Sequence, residues 1–261
     1  MTSHAARRIP FEGIDNFRDF GGYPTREGRR VKAGVLYRSA GHSRASDRDL
    51  ESLAELGIGI VVDLRSAEER SREPSRHPPS FRGAVILNDD DAGEDGWSRH
   101  VATGEMSVEA NRAYLMRYYT DAPFDPRHID LFRRYFRALA EGDARVLIHC
   151  AAGKDRTGIL AALTHHVLGV HPDDMIHDYL LTNDPERMAL RLPQVIAAIE
   201  SVSGRTPDPE AALTIMGVDT AYLDAAFAAI DQVSGGVDAY LETRLGVNGA
   251  IKDACRARLL V

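Results

Sequence analysis

Cysteine is scarce in these 261 residues, occurring only at positions 150 and 255. Two thiols cannot build a disulfide framework, which excludes the small stapled scaffolds of secreted proteins and suits a reducing compartment. Basic charge is also short. With 32 Lys and Arg against 39 Asp and Glu the net charge is -7, which argues against a general nucleic-acid binder carrying a basic face. Nowhere do about 18 uninterrupted apolar residues occur, so no membrane-spanning helix is expected. The opening MTSHAARRIPFEG lacks the apolar centre of a signal peptide, and cytoplasmic residence is the expectation. No fixed-period repeat, low-complexity tract or long linker interrupts the chain, so one elaborated domain over 1–261 is expected.

What is present reads as alternating strands and helices. Val35-Leu36-Tyr37-Arg38 predicts a strand. Ser46 followed by Asp49 predicts a capped helix that Gly57 stops, and Ile58 to Leu64 is a nearly continuous apolar run of the kind found in a strand buried on both faces. Ser66-Ala-Glu-Glu69 has the spacing of a second capping box, and Ala84 to Leu87 is a further strand candidate. This alternation predicts an α/β fold with a central, mainly parallel sheet flanked by helices. After Leu87 an acidic, polar run through Arg99 reads as a solvated loop, followed by an extra helix over Ser107 to Tyr119. Residues 88–124 are thus expected to form an inserted helical lid. Its stripe of Tyr114, Leu115, Tyr118 and Tyr119 either contacts a ligand or packs on the core. From about 171 to 261 the pattern is helical throughout, with Pro172 and Pro185 in first turns and Asp184 and Asp208 as candidate N-caps.

The chemistry concentrates in His149-Cys-Ala-Ala-Gly-Lys-Asp-Arg-Thr-Gly158. It lies between the apolar Val146-Leu147-Ile148 and Ile159 to Leu163, so it reads as a strand passing through a loop into a helix. A helix start leaves backbone N-H groups unpartnered and carries the positive end of the dipole, and such a loop can cradle a tetrahedral dianion. Cys150 at its floor is expected to be a thiolate, with a pKa in the roughly 3.5–7.5 range of such placements. Arg156 offers a planar fork able to hold two phosphate oxygens. Together these point to covalent phosphoryl transfer, with Ala151, Ala152, Gly153, Lys154, Asp155 and Arg156 around the phosphate. Gly153 lets the backbone turn tightly, and Gly158 allows close packing.

Cys150 and Arg156 at C-x5-R spacing, within the fuller HCxxGKDRTG form, resemble the loop of the bacterial tyrosine-protein and phosphoinositide phosphatase family, within the cysteine-dependent phosphatases. The likeness extends to NFRDFGGYPTREGRRVKAGVLYRS (Asn16 to Ser39) and VVDLRSAEER (Val61 to Arg70). It implies hydrolysis of a phosphorylated protein or a phosphoinositide through a phosphocysteine, releasing inorganic phosphate and needing no cofactor. It also makes Asp155 the candidate general acid, and associates Lys154, a second positive charge at the pocket rim, with acceptance of phosphoinositides. Some proteins of this kind are exported without a recognisable leader.

Other roles stay open. Asp155 instead orients Arg156 or the loop amides in the alternative reading. Aspartates of a mobile loop serve as acid in the wider class, which brings in Asp89, Asp90 and Asp91, with Asp95, Asp121 and Asp125 more remote, but no Trp-Pro-Asp string marks one of them. Asp63 is a third candidate, or a partner of Arg65. Thr157 either donates its hydroxyl to the sulfur or satisfies the helix start. His149 is expected to hold the loop by hydrogen bonds. Arg18, Asp19 and Arg38 either touch substrate or form a buried ion-pair lattice. No metal site is expected, since the adjacent His165 and His166 point to different faces of a helix. Cys255 reads as a small buried hydrophobe. A nucleotide-binding loop is excluded because Asp155 follows Gly153-Lys154 and the first glycine is missing. A rhodanese-like sulfurtransferase and a phosphate-recognition module without turnover are the competing functions.

Overall fold

The structure, a computed structural model, describes residues 7–90, 96–102 and 106–261. Asp91 and Asp95 therefore lie outside the described residues.

Local signals set most of the elements. After β1 (Arg18–Asp19) and β2 (Leu36–Ser39), Ser46 caps α1 (Asp47–Glu55): its hydroxyl accepts from the Asp49 N-H, and the Asp49 carboxylate accepts from the Ser46 N-H. β3 (Ile58–Asp63) follows, and then the second box, Ser66 with Glu69, opens α2 (Ala67–Arg72). β4 (Ala84–Ile86), α3 (Gly96–Ala102), α4 (Val108–Asp121) and α5 (Pro126–Glu141) lead to β5 (Arg145–His149) and α6 (Asp155–Leu168). The remainder is α7 (Pro172–Leu180), α8 (Pro185–Ser203), α9 (Pro209–Met216), α10 (Thr220–Ser234), α11 (Val237–Thr243) and α12 (Gly249–Leu259). Asp184 and Asp208 cap α8 and α9 as the sequence predicts. α3 is a difference: part of the run read as loop is helical, because Val101 is buried and Trp97, four residues earlier, packs beside it against the core.

The five strands lie in the order β1-β2-β5-β3-β4, with β1 antiparallel and the others parallel. β5 sits centrally and is covered on both faces, as its apolar run requires. Its period of two splits the core. Val146 and Ile148 join Leu36, Val62 and the side chains of α5 and α6, whereas Leu147 joins Tyr37 and the α1 residues Leu50 and Leu53.

Register places the site. Ser39 pairs with His149 and Asp63 with His149, so the carboxyl ends of β2, β5 and β3 finish abreast, the place where open parallel sheets hold ligands. Among the described residues no single helix is long and apolar enough to cross a membrane.

Candidate active site

The loop between β5 and α6 is held from outside by its carbonyls. The Gly41 N-H donates to Ala151 O at 3.0 Å, Asn16 Nδ2 to Ala152 O at 3.4 Å and to Gly153 O at 3.0 Å, and Arg38 Nη2 to Gly153 O at 3.1 Å. In a planar trans peptide a C=O tied to one side turns its N-H to the other. The N-H groups of Ala152, Gly153 and Lys154 are thereby aimed away from these anchors. None of them has an acceptor among the described residues, so the concave side is a row of open donors. Gly153 makes the turn possible: its φ is +68°, and a Cβ there would stand 2.4 Å from the Ser39 backbone.

Behind the loop lies the buried lattice that Arg18 and Arg38 allowed. Arg38 is wholly buried and donates to Asp178 Oδ2 at 2.7 Å, while Arg18 donates to the Asp178 carbonyl and to Thr182. Burial opposes the Asp178 charge, but the two guanidiniums hold its pKa down at about 2. Burial and the neighbouring Arg38 pull Arg18 down to about 9, with Asp178 opposing. Asp19 faces the backbone instead, accepting from Gly21 and Gly34. Arg38 directly, and Arg18 through Asn16, serve the loop as scaffold.

Arg156 is fixed by a partner that sequence reading assigned only to a cap. Its Nη1 and Nη2 donate to Glu69 Oε2 and Oε1 at 2.6 and 2.7 Å, and Nη1 also reaches Leu64 O at 3.1 Å. Glu69 occupies the end-on edge of the fork. The side-on edge, Nε and the second Nη2 proton, has no protein acceptor among the described residues and can take two oxygens of one anion. Burial works against both charges. The pair overcomes it, holding Glu69 down to about 2 and Arg156 well above its ordinary value.

Cys150 is 2% exposed. Tyr118, on α4, lies within electrostatic reach of Arg156, Asp155 and Cys150, and burial above all keeps its phenol neutral. Tyr119 is fully buried and donates to Asp155 Oδ1 at 2.8 Å. The tyrosine stripe therefore divides, one ring at the site and the next in the core.

Other predicted residues are placed differently. The Lys154 ammonium is buried and donates to the carbonyls of Ile215 and Gly217 at the C-terminal end of α9, 3.5 Å from Asp155 Oδ1, not at an open rim. The last carbonyls of a helix attract a cation, which explains the direction it takes. Asp63 is gripped by Arg65 at 2.9 and 2.7 Å, and its carboxyl stays well below the usual range despite burial, through His149 and Arg65. That is the structural reading of Asp63. His149 stacks on His42 at 4.8 Å, its Nδ1 is 3.4 Å from the Cys150 carbonyl, and burial pulls its pKa below the ordinary value while Asp63 opposes the shift. The Thr157 hydroxyl is buried without a hydrogen-bond partner, so it makes neither of the two bonds left open to it, to the sulfur or to the backbone of the helix start.

Among the alternative acids, Asp89 is largely exposed and paired with Arg70, Asp90 is exposed and bonded to Asn88, Asp121 is exposed, and Asp125 caps α5 through Arg127. Among the described residues no cluster of three or more His, Cys, Asp or Glu side chains could hold a metal. Cys255 is buried on α12, and burial pushes its thiol up to about 11.

Residues 9–261 match the model of the tyrosine phosphatase family. The chain belongs to that family. It is 35% identical over 244 residues to a putative tyrosine-protein phosphatase of Cupriavidus necator, covering 93% of this chain and 85% of the relative. It is 32% identical to the triple specificity protein phosphatase PtpB of Mycobacterium tuberculosis, covering 98% and 99%. A tyrosine-protein phosphatase of Nostoc commune is 28% identical over 58% of this chain. This chain is accordingly a phosphatase.

The Glu69 contact was hidden from sequence because the two residues are 87 positions apart. Its one signal was the second glutamate of VVDLRSAEER, which stands at the N3 position of the capping box.

Proposed function

We propose that this phosphatase cleaves phosphomonoesters through a phosphocysteine. Cys150 Sγ attacks phosphorus, the S-P bond forms as the P-O bond to the leaving group breaks, and Asp155 gives its proton to the departing oxygen. Water then attacks the thiophosphate, Asp155 takes its proton, and inorganic phosphate and the thiolate are released. The loop amides and the side-on edge of Arg156 hold the equatorial oxygens throughout. The observation that carries this reading is the row of unpartnered N-H groups facing inward beside an arginine whose other edge is already occupied by Glu69.

The substrate class we favour is phosphotyrosine in proteins, supported by the names of the relatives. Phosphoinositides are the extension, but the Lys154 ammonium is already spent on Ile215 and Gly217, so a headgroup would have to draw it off α9. In this reading the described part of 88–124 covers the site, and the enzyme works in a reducing cytoplasm that spares its cysteine.

The test is turnover of p-nitrophenyl phosphate in the presence of a chelator. Cys150→Ser is expected to lose several orders of magnitude while still binding vanadate. Equal turnover in both proteins overturns the nucleophile. A panel of phosphopeptides and phosphoinositides then ranks the substrates.

A further inference from the structure

Two buried tyrosines form a directed hydrogen-bond chain that ends on the candidate acid. Tyr179 on α7 donates its hydroxyl to Tyr119 Oη at 2.7 Å, and Tyr119 on α4 donates to Asp155 Oδ1 at 2.8 Å. Each phenol has one proton, so the direction is fixed: Tyr119 gives its hydrogen to the carboxylate, and towards Tyr179 it can then only accept. Such chains polarise one another. Burial drives both phenols well above their ordinary pKa, which keeps them donors across the working range.

The two oxygens of Asp155 are thereby made different. Oδ1 receives Tyr119 and has the Lys154 ammonium at 3.5 Å. Oδ2 has no hydrogen-bond partner among the described residues and is not sealed from solvent. We infer that Tyr119, backed by Tyr179, is a positioning residue that reserves Asp155 Oδ1 and so places the acid's transferable proton on Oδ2. This rests on Asp155 as the acid, proposed above.

The geometry is built for the chain. Gly158, which sequence reading tied to helix packing, leaves the space that the Tyr179 ring fills: a Cβ there would stand 2.9 Å from that ring. Tyr222 on α10 lies against Tyr119 with ring centroids 5.7 Å apart. Among the described residues the groups that face Asp155 are Tyr118 and Tyr119 from α4, Tyr179 from α7, Tyr222 from α10 and Lys154 from the loop, with Cys150 and Arg156 also near Tyr118. Of these, only Tyr119 donates a hydrogen bond to its carboxylate.

The sign of the effect follows. A donor on Oδ1 favours the ionised carboxylate, so removing it lets the acid keep its proton to higher pH. In pH profiles of kcat/KM, Tyr119→Phe is expected to move the basic limb up by about one pH unit, the size of one charge-assisted hydrogen bond partly replaced by water. With phenyl phosphate, a poor leaving group, kcat should fall about tenfold at unchanged KM, whereas p-nitrophenyl phosphate, which needs little protonation, should change far less. Tyr179→Phe should move the limb in the same direction by less, and carries the test if the first variant folds poorly.

Asp155→Asn separates the two readings. If it removes the basic limb and Tyr119→Phe leaves the limb and the leaving-group dependence at wild type, the positioning role is wrong and the acid stands. If Asp155→Asn keeps the limb, the acid assignment fails and takes the positioning role with it.

Discussion

Glu69 closes on the end of the Arg156 guanidinium with both carboxylate oxygens, at 2.6 and 2.7 Å, while one of the same oxygens accepts the Ser66 N-H at 2.8 Å. A single side chain thus starts a helix and aims an arginine. Glu69→Ala should leave the guanidinium free to swing, and misplacement on that scale costs about 100-fold in kcat/KM. Losing half of the capping box should cost about 1 kcal/mol, and leaving the buried guanidinium without its partner raises the total towards the roughly 3–5 kcal/mol of a buried pair broken from one side. Steady-state kinetics on protein that its urea midpoint shows to be folded checks the aim: a large loss of kcat/KM in the folded variant is expected, and unchanged kcat/KM would mean that the pair is ornamental.

Acid should unfold this protein through its buried carboxylates. Glu69 and Asp178 are both held at about 2, against ordinary values of 4.5 and 3.8. The unfolded chain takes up these protons first, so their contribution is complete above about pH 4.5 and is lost as pH falls towards 2. Urea midpoints measured from pH 7 to pH 2.5 should be flat at first and then drop, with the drop reduced in Glu69→Gln.

The Arg18, Arg38 and Asp178 lattice is expected to be intolerant of half-measures. Asp178→Asn leaves two guanidiniums facing each other in the interior and should cost about 3–5 kcal/mol, the range for breaking a buried pair from one side. Because Arg38 also holds Gly153 O, vanadate affinity should fall together with stability.

At Gly153 both conformation and space are used. Gly153→Ala meets the Ser39 backbone and a left-handed φ, so anion binding should be lost, with a destabilisation of about 1–3 kcal/mol or more. Isothermal titration with vanadate and a thermal melt report the two effects separately.

Cys255 offers the opposite expectation. Its thiol, buried and pushed up to about 11, is protonated at neutral pH and plays no part at the loop. Cys255→Ala should keep kcat/KM within about twofold and lose about 1 kcal/mol from the lost packing. Mass mapping after mild alkylation should place the label on Cys150, and label on Cys255 in the folded protein would contradict its placement.

What could be read from sequence was what is local. The two Ser-x-x-acid boxes at Ser46 and Ser66, the strands β3 and β5, of which β3 is buried only over its second half, and the N-caps Asp184 and Asp208 all depend on neighbours within four residues, and the structure forms them there. The loop from Cys150 to Arg156 was legible for the same reason. Contacts across the chain were not. Glu69 with Arg156, and Tyr179 with Tyr119 and Asp155, join residues 87, 60 and 36 positions apart, and no period or cap encodes such pairings. Lys154 shows the limit most plainly. Its charge suggested solvent, yet the carbonyls of Ile215 and Gly217, 61 and 63 positions away, decide where it lies. α3 was missed because one buried turn carrying Val101 and Trp97 is too short to raise a periodic signal.

The outer ties of the phosphate loop come from Arg38 and Asn16, 115 and 137 positions upstream of Gly153. Helices grow from near neighbours, while pairings this remote form late. During refolding, circular dichroism should therefore recover before vanadate binding does. A newly made chain would hold its strands and helices while still unable to grasp an anion, and competence would arrive only when the stretch carrying Asn16 and Arg38 closes around the loop.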